Sequence, residues 1–187
     1  MAKTVDKWKA KKSFEIVAPE MFNNKKIGVT FSDDPKKVPG RTVKVDYSEI
    51  QGRKSKRTKI KLNFMIDNLQ GNTATTKFLG HNIVSDFERS LSRKGTSKVY
   101  VNQRVTLKEG KKINLKAFAI TLSQVRKAKQ EDVRKKLVEL IKKKTEGKSL
   151  DKLMNEILTN QFGKGIKKEL SKVYPMKYVI VQKTEVV

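Results

Sequence analysis

A single histidine, His81, lies in Leu79-Gly80-His81-Asn82, and the chain of 187 residues has no cysteine. Together these two features exclude most metal and nucleophile chemistry. Disulfide frameworks, thiolate zinc sites and cysteine nucleophiles are gone, and so is any two-histidine metal site. A Ser-His-Asp triad would depend on one residue in a segment that reads as a turn. Carboxylates cluster only as Asp33-Asp34 before Pro35 and as Glu131-Asp132. The first pair is turn punctuation, and the second falls in a helical first turn, where the helix dipole favours negative charge. Gly163-Lys164-Gly165 lacks the GxxxxGK[ST] spacing of a phosphate loop. With Gly163 opening a helix, Lys164 and the free amides of that helix start could still meet one phosphate. No catalytic residue, metal or cofactor is expected, and the chain does not read as an enzyme.

What the sequence does supply is cationic side chains. Lys and Arg number 44 against 19 Asp and Glu, a formal charge of +25, with a pI near 10.2. Repulsion on that scale works against compaction and invites polyanions. The basic residues are spread over the whole chain rather than gathered in a tail, which points to a body embedded in nucleic-acid phosphate, bound largely through counterion release. His81 then reads as a structural or RNA-contacting side chain whose removal abolishes no reaction.

Expected RNA-binding residues follow from the clusters. Lys7, Trp8, Lys9, Lys11 and Lys12 form a basic N-terminal tail over residues 1–13, in which Trp8 could stack on a base or pin the tail to the body. Arg53, Lys54, Lys56 and Arg57 follow Gly52 at the foot of a strand and can fan out over successive phosphates, with Lys59 and Lys61 continuing on the strand itself. Further candidates are Arg93 and Lys94, the hairpin tip Lys108, Lys111 and Lys112, the run Arg126, Lys127 and Lys129, the pair Arg134 and Lys135, and Lys164.

The elements that must position these residues change character along the chain. From Phe14 to Leu122 the pattern is mostly β. Ile60, Leu62, Phe64 and Ile66 alternate with Lys59, Lys61 and Asn63, as a half-buried strand requires. Val99 to Leu107 and Ile113 to Leu122 flank Gly110 as a hairpin, with Val105, Leu107, Ile113 and Leu115 beneath the tip. Shorter strands are expected at Ser13 to Val17, Ile27 to Phe31, Thr42 to Tyr47 and Thr75 to Leu79, and a helical insertion capped by Ser85 follows Val84. Phe14, Phe31, Phe64 and Phe118 sit within strand patterns and are expected in the core. After Ser123 the period becomes helical. Helices are expected from about Glu131 to Lys144, after Ser149, and from about Gly163 to Val173, followed by a final strand at Met176 to Lys183. The expected fold is α+β, with an N-terminal antiparallel β-barrel over 14–123 and a helix-rich α/β portion over 124–187, since closure would remove exposed edges. No apolar run approaches the roughly 18 residues of a membrane span, so no membrane partner is expected.

The run Phe14-Glu15-Ile16-Val17-Ala18-Pro19-Glu20-Met21-Phe22-Asn23, with Ile27-Gly28 and Gly40-Arg41 downstream, resembles the opening of the archaeal and eukaryotic small-subunit ribosomal protein S-three-Ae family, also named eukaryotic-type S-one. The likeness continues at Phe64 to Gly71, at Gln130 to Ile141 with Val133-Arg134-Lys135, and at Gly163-Lys164, Ile166 and Val173-Tyr174-Pro175. Two departures stand out. Ser13-Phe14 replaces an aromatic pair, and long basic extensions are missing, as in an archaeal-type member. The resemblance implies a structural protein of the cytoplasmic ribosome that binds small-subunit rRNA on the platform near the messenger exit. Its implied neighbours are other small-subunit ribosomal proteins, with messenger RNA near the exit site. Composition by itself would equally allow a free RNA-binding module or translation factor with an OB-like barrel.

Overall fold

The computed structural model describes residues 8, 11–52, 59–108 and 110–186. The expected contacts Lys7, Lys9, Arg53, Lys54, Lys56 and Arg57 lie outside the described residues. The chain divides into two compact units, Met1–Leu79 and Gly80–Val187.

The first unit holds β1 (Lys12–Val17), β2 (Lys26–Ser32), β3 (Thr42–Asp46), a four-residue helix α1 (Tyr47–Ile50), β4 (Ile60–Gln70) and the start of β5 (Thr73–Ile83). β1 pairs antiparallel with β2 and parallel with β5, while β4 pairs with β3 and β5. The alternation at β4 is realised, with Leu62, Phe64 and Ile66 buried and Lys59 and Lys61 exposed. Phe64 meets Phe22 edge-on at 5.5 Å and Phe78 at 5.9 Å, and Phe14, Ile16, Val38, Ile66 and Ala74 form a second cluster.

This ladder does not close, so the expected barrel becomes an open sheet with β2 and β3 at its edges. Arg41 explains how the β2 edge is managed. Its guanidinium donates to Thr30 Oγ1 and the Phe31 carbonyl at 2.9 Å each, and to Ser32 Oγ at 3.3 Å. A side chain thus takes the place of part of a strand ladder. Phe31 is also corrected: as an edge residue it is 49% exposed, and its ring packs on Trp8 at 5.8 Å.

The second unit contains the end of β5, α2 (Ser85–Leu91), β6 (Lys98–Thr106), β7 (Lys112–Thr121), α3 (Lys127–Thr145), α4 (Leu150–Leu158), α5 (Gln161–Leu170) and β8 (Met176–Val186). Its strand order is β5-β8-β7-β6, all antiparallel. α3 begins four residues earlier than Glu131, because Arg126 and not Glu131 flanks its first turn. Val133, Leu137, Leu140 and Ile141 are buried from α3, as are Leu150, Leu153, Met154, Ile157 and Leu158 from α4.

Three local expectations are revised. Ser85 is the first helical residue and not the cap. His81 lies inside β5 and not in a turn. Gly163 does not open α5, which follows Asn160 in a left-handed conformation. The Lys164 amide therefore already donates to the Asn160 carbonyl at 3.1 Å and is not free for a phosphate. Gly163 has another use: a Cβ there would fall 2.3 Å from the Val179 carbonyl oxygen of β8. Only a glycine lets α5 approach the sheet this closely, so Gly163→Ala should cost about 1–3 kcal/mol in a urea melt, whereas a helix-propensity effect alone would stabilise.

Candidate nucleic-acid interface

The β6–β7–β8 sheet has two unlike faces, a consequence of period-two alternation in each strand. Val99, Val101 and Val105 of β6, Ile113, Leu115, Ala117 and Ala119 of β7, and Val179 and Val181 of β8 are buried, and α3 and α5 pack on the sheet. The intervening residues form the opposite face. Register places Tyr100 beside Phe118, Asn102 beside Lys116, Arg104 beside Asn114 and Thr106 beside Lys112, with Lys183 and Glu185 next to Lys116 and Asn114. Tyr100, Asn102, Arg104, Thr106 and Lys112 are exposed, while Asn114, Lys116 and Lys183 are half-buried.

One end of this face is fastened by α2. Glu88 accepts from Lys98 Nζ at 2.6 Å, from the Tyr100 hydroxyl at 3.0 Å and from Gln182 Nε2 at 2.7 Å. Burial favours the neutral carboxyl, but the three hydrogen bonds outweigh it and hold Glu88 below its usual range. Lys98 shows the mirror balance, with burial opposed and overcome by Glu88 and Tyr100, so that its ammonium is held more firmly. The Lys98 ammonium also lies 4.3 Å above the Phe118 ring centroid. Lys98 is thus a structural cation, whereas Arg104 and Lys112 point their charge at solvent.

At the other end is the hairpin tip. Gly110 has φ +73°, Val105, Leu107, Ile113 and Leu115 are buried beneath it, and Lys108, Lys111 and Lys112 are exposed. α3 adds to the rim: Arg134 Nε donates to the Tyr100 carbonyl at 3.4 Å and the side chain pairs with Glu131. Arg126, Lys127, Lys129 and Lys135 are exposed at and along α3, with Lys129 3.6 Å from Asp132. Lys164 is exposed on α5, and Arg93 and Lys94 lie in the loop after α2. In the first unit, Lys11 holds its ammonium 4.3 Å from the Trp8 ring centroid, and Lys12, Lys59 and Lys61 are exposed.

The structure brings the tip lysines together with Arg104 and Lys116, which sequence inspection passed over. Cationic runs are conspicuous in a sequence, but Arg104 and Lys116 stand outside any such run and join Lys112 only through strand register. The signal was present in the alternation of Asn102, Arg104 and Thr106 with Val101 and Val105.

His81 belongs to the covered side. Its ring is buried, with Nε2 3.3 Å from the Val181 carbonyl and Nδ1 2.7 Å from Thr184 Oγ1. A carbonyl can only accept, so Nε2 carries the proton and Nδ1 accepts from the threonine hydroxyl. Burial pushes this imidazole down to about 4, against a weaker opposing pull from the Val181 carbonyl. Among the described residues, no cluster of His, Cys, Asp and Glu could hold a metal ion, and no helix is long and apolar enough to cross a membrane.

Fold and surface define a strongly basic α+β protein whose β6–β7–β8 sheet exposes Arg104 and Lys112 on the face opposite its helices. The chain matches the Ribosomal S3Ae family over residues 1–187. It is 34% identical to the small ribosomal subunit protein eS1 of Methanothermobacter thermautotrophicus over 181 residues, covering 97% of this chain and 92% of that protein. The eS1 protein of Methanobrevibacter smithii is likewise 34% identical, over 97% of this chain and 93% of its own, and that of Desulfurococcus amylolyticus is 34% identical over 96% and 84%. The chain belongs to the Ribosomal S3Ae family, and the resemblance read from its motifs extends over its whole length.

Proposed function

We propose that the chain is a structural constituent of the small ribosomal subunit in the cytoplasm, binding small-subunit rRNA on the platform near the messenger exit beside neighbouring small-subunit proteins. The observation that carries this reading is the division of the β6–β7–β8 sheet into a helix-covered apolar face and an open face bearing Arg104, Lys112, Lys116 and Lys183. Side chains standing off a rigid sheet meet successive phosphates at fixed spacing, so the contacts position the RNA with little need to read sequence. Arg126, Lys127, Lys129, Arg134 and Lys135 extend the cationic surface from α3, and Lys11, Lys12, Lys59 and Lys61 supply a further surface in the first unit. Messenger RNA passing near the exit would meet the same field. The names of the archaeal relatives support the ribosomal setting.

A salt titration tests the face itself. Changing Arg104, Lys112 and Lys116 together to Gln should lower the slope of log K against log salt for small-subunit rRNA by about two to three, because about three phosphate contacts are lost. An unchanged slope would remove this face from the interface.

A further inference from the structure

Large apolar side chains of the first unit meet solvent at the β2 edge. Val29 and Phe31 stand two residues apart, hence on one face of the strand, and are 44% and 49% exposed. Trp8, itself 63% exposed, sets its ring 5.8 Å from that of Phe31 at an interplanar angle of 41°. An exposed cluster of this kind marks an interaction site. The indole is positioned by its surroundings. The Lys11 amide donates to the Trp8 carbonyl at 3.1 Å, closing a turn, and Arg41 fixes the backbone beneath the second ring by donating to the Phe31 carbonyl at 2.9 Å. Register sets Ser13 opposite Phe31, so β1 presents only a short side chain beside that ring. The charge around the rings is positive. Lys11 holds its ammonium 4.3 Å from the indole centroid, Lys7 and Lys9 flank Trp8 in the sequence, and Glu15, opposite Val29, is ion-paired with Lys26. A flat ring beside an ammonium matches a nucleotide, which joins a flat base to a phosphate. An aliphatic protein surface would leave the ammonium without a counter-charge.

We propose that Trp8, seated on Phe31, is a stacking platform for one unpaired base of the bound RNA, with the Lys11 ammonium passing from the indole to the phosphate of the stacked nucleotide. The proposal rests on the chain being an RNA-binding protein and adds a base contact in the first unit that no cationic run supplies. Unpaired nucleotides are the fitting class, because a splayed base offers a π-face whatever its identity, whereas a base within a duplex is already stacked on its neighbours.

Trp8 is the only tryptophan of the chain, so indole emission reports this site alone. Single-stranded oligouridylate of about six nucleotides, within the usual span of single-strand sites, should quench the emission of the full chain. Inorganic polyphosphate of equal charge should leave it nearly unchanged, since it satisfies the lysines but has no ring to stack. Trp8→Ala should weaken oligouridylate binding about tenfold in an anisotropy titration with labelled RNA, and Trp8→Phe, which keeps a ring, should lose less. Quenching by polyphosphate as strong as by oligouridylate, or none at saturating oligouridylate, would overturn the platform. So would an emission that shifts to the blue with protein concentration and ignores oligouridylate, which would give the patch to a second copy of the chain. The salt slope of the Arg104, Lys112 and Lys116 variant on rRNA does not involve Trp8, so failure of the platform and failure of the RNA surface are read separately.

Discussion

Leu115→Ala is expected to destabilise the protein by about 2–5 kcal/mol, because the side chain is fully buried in the central strand pair of the second unit and its removal leaves a cavity lined by neighbours that cannot collapse into it. Leu115 faces Gln103 on β6 and Thr184 on β8, so relaxation would have to shift three strands at once. Changing Lys108, Lys111 and Lys112 to Gln makes the opposing case. These residues are exposed at the hairpin tip, and each such surface substitution moves stability by no more than about 0.5 kcal/mol. The triple variant should nevertheless bind small-subunit rRNA more weakly, with a shallower salt dependence. Thermal melts and salt titrations on the two variants separate the strands that hold the surface from the charges that use it. A tip variant that binds as tightly as the unaltered protein would place the hairpin on the wrong side of the molecule.

The second large effect is acid lability through His81. Its imidazole is buried between Thr184 and Val181, and burial lowers its pKa from 6.5 to about 4. A group depressed in the folded state binds a proton more readily when the chain is unfolded. Stability therefore falls as pH drops below about 6.5, and the contribution is exhausted once pH has passed below about 4. The span corresponds to about 3 kcal/mol at most. Urea denaturation at several pH values across that window should show a steeper decline for the unaltered protein than for His81→Gln, which has no titrating ring. Parallel curves would mean that His81 is not protonated on unfolding in this range. The same burial explains why loss of His81 should act on stability and leave the RNA surface in place, since the ring meets Thr184 and Val181, both buried residues of β8, and is itself closed to solvent.

Strand and helix content was legible wherever one side of an element is covered. The alternation at Ile60 to Ile66 and the helical spacing of Val133, Leu137, Leu140 and Ile141 each fixed the correct face, because burial of one side leaves a periodic trace in the residue types. Edges were less legible. Ile27, Val29 and Phe31 alternate as a buried face would, yet β2 is an edge strand and Val29 and Phe31 are exposed. Open and closed sheets share the same local periodicity, and the difference here lies in long-range pairing and in the Arg41 guanidinium that serves the β2 edge. His81 was misplaced for a related reason: its partner Thr184 is 103 residues away, and Gly80 beside it looks like turn chemistry. In fact a Cβ at Gly80 would sit 1.9 Å from the Thr184 carbonyl oxygen, so the glycine permits close strand approach.

The cationic surface divides in the same way. Contiguous runs such as Lys108, Lys111 and Lys112 announce themselves. Arg104 and Lys116 gain their meaning only when β6 and β7 are paired in register.

Cosedimentation of the tagged chain with ribosomal subunits, across gradients of rising monovalent salt, addresses the central claim most directly. Many phosphate contacts acting on one folded body should keep the chain with the small subunit through moderate salt and release it steeply as salt rises further. Recovery in the free-protein fractions at low salt, or with the large subunit, would contradict a structural place in the small subunit.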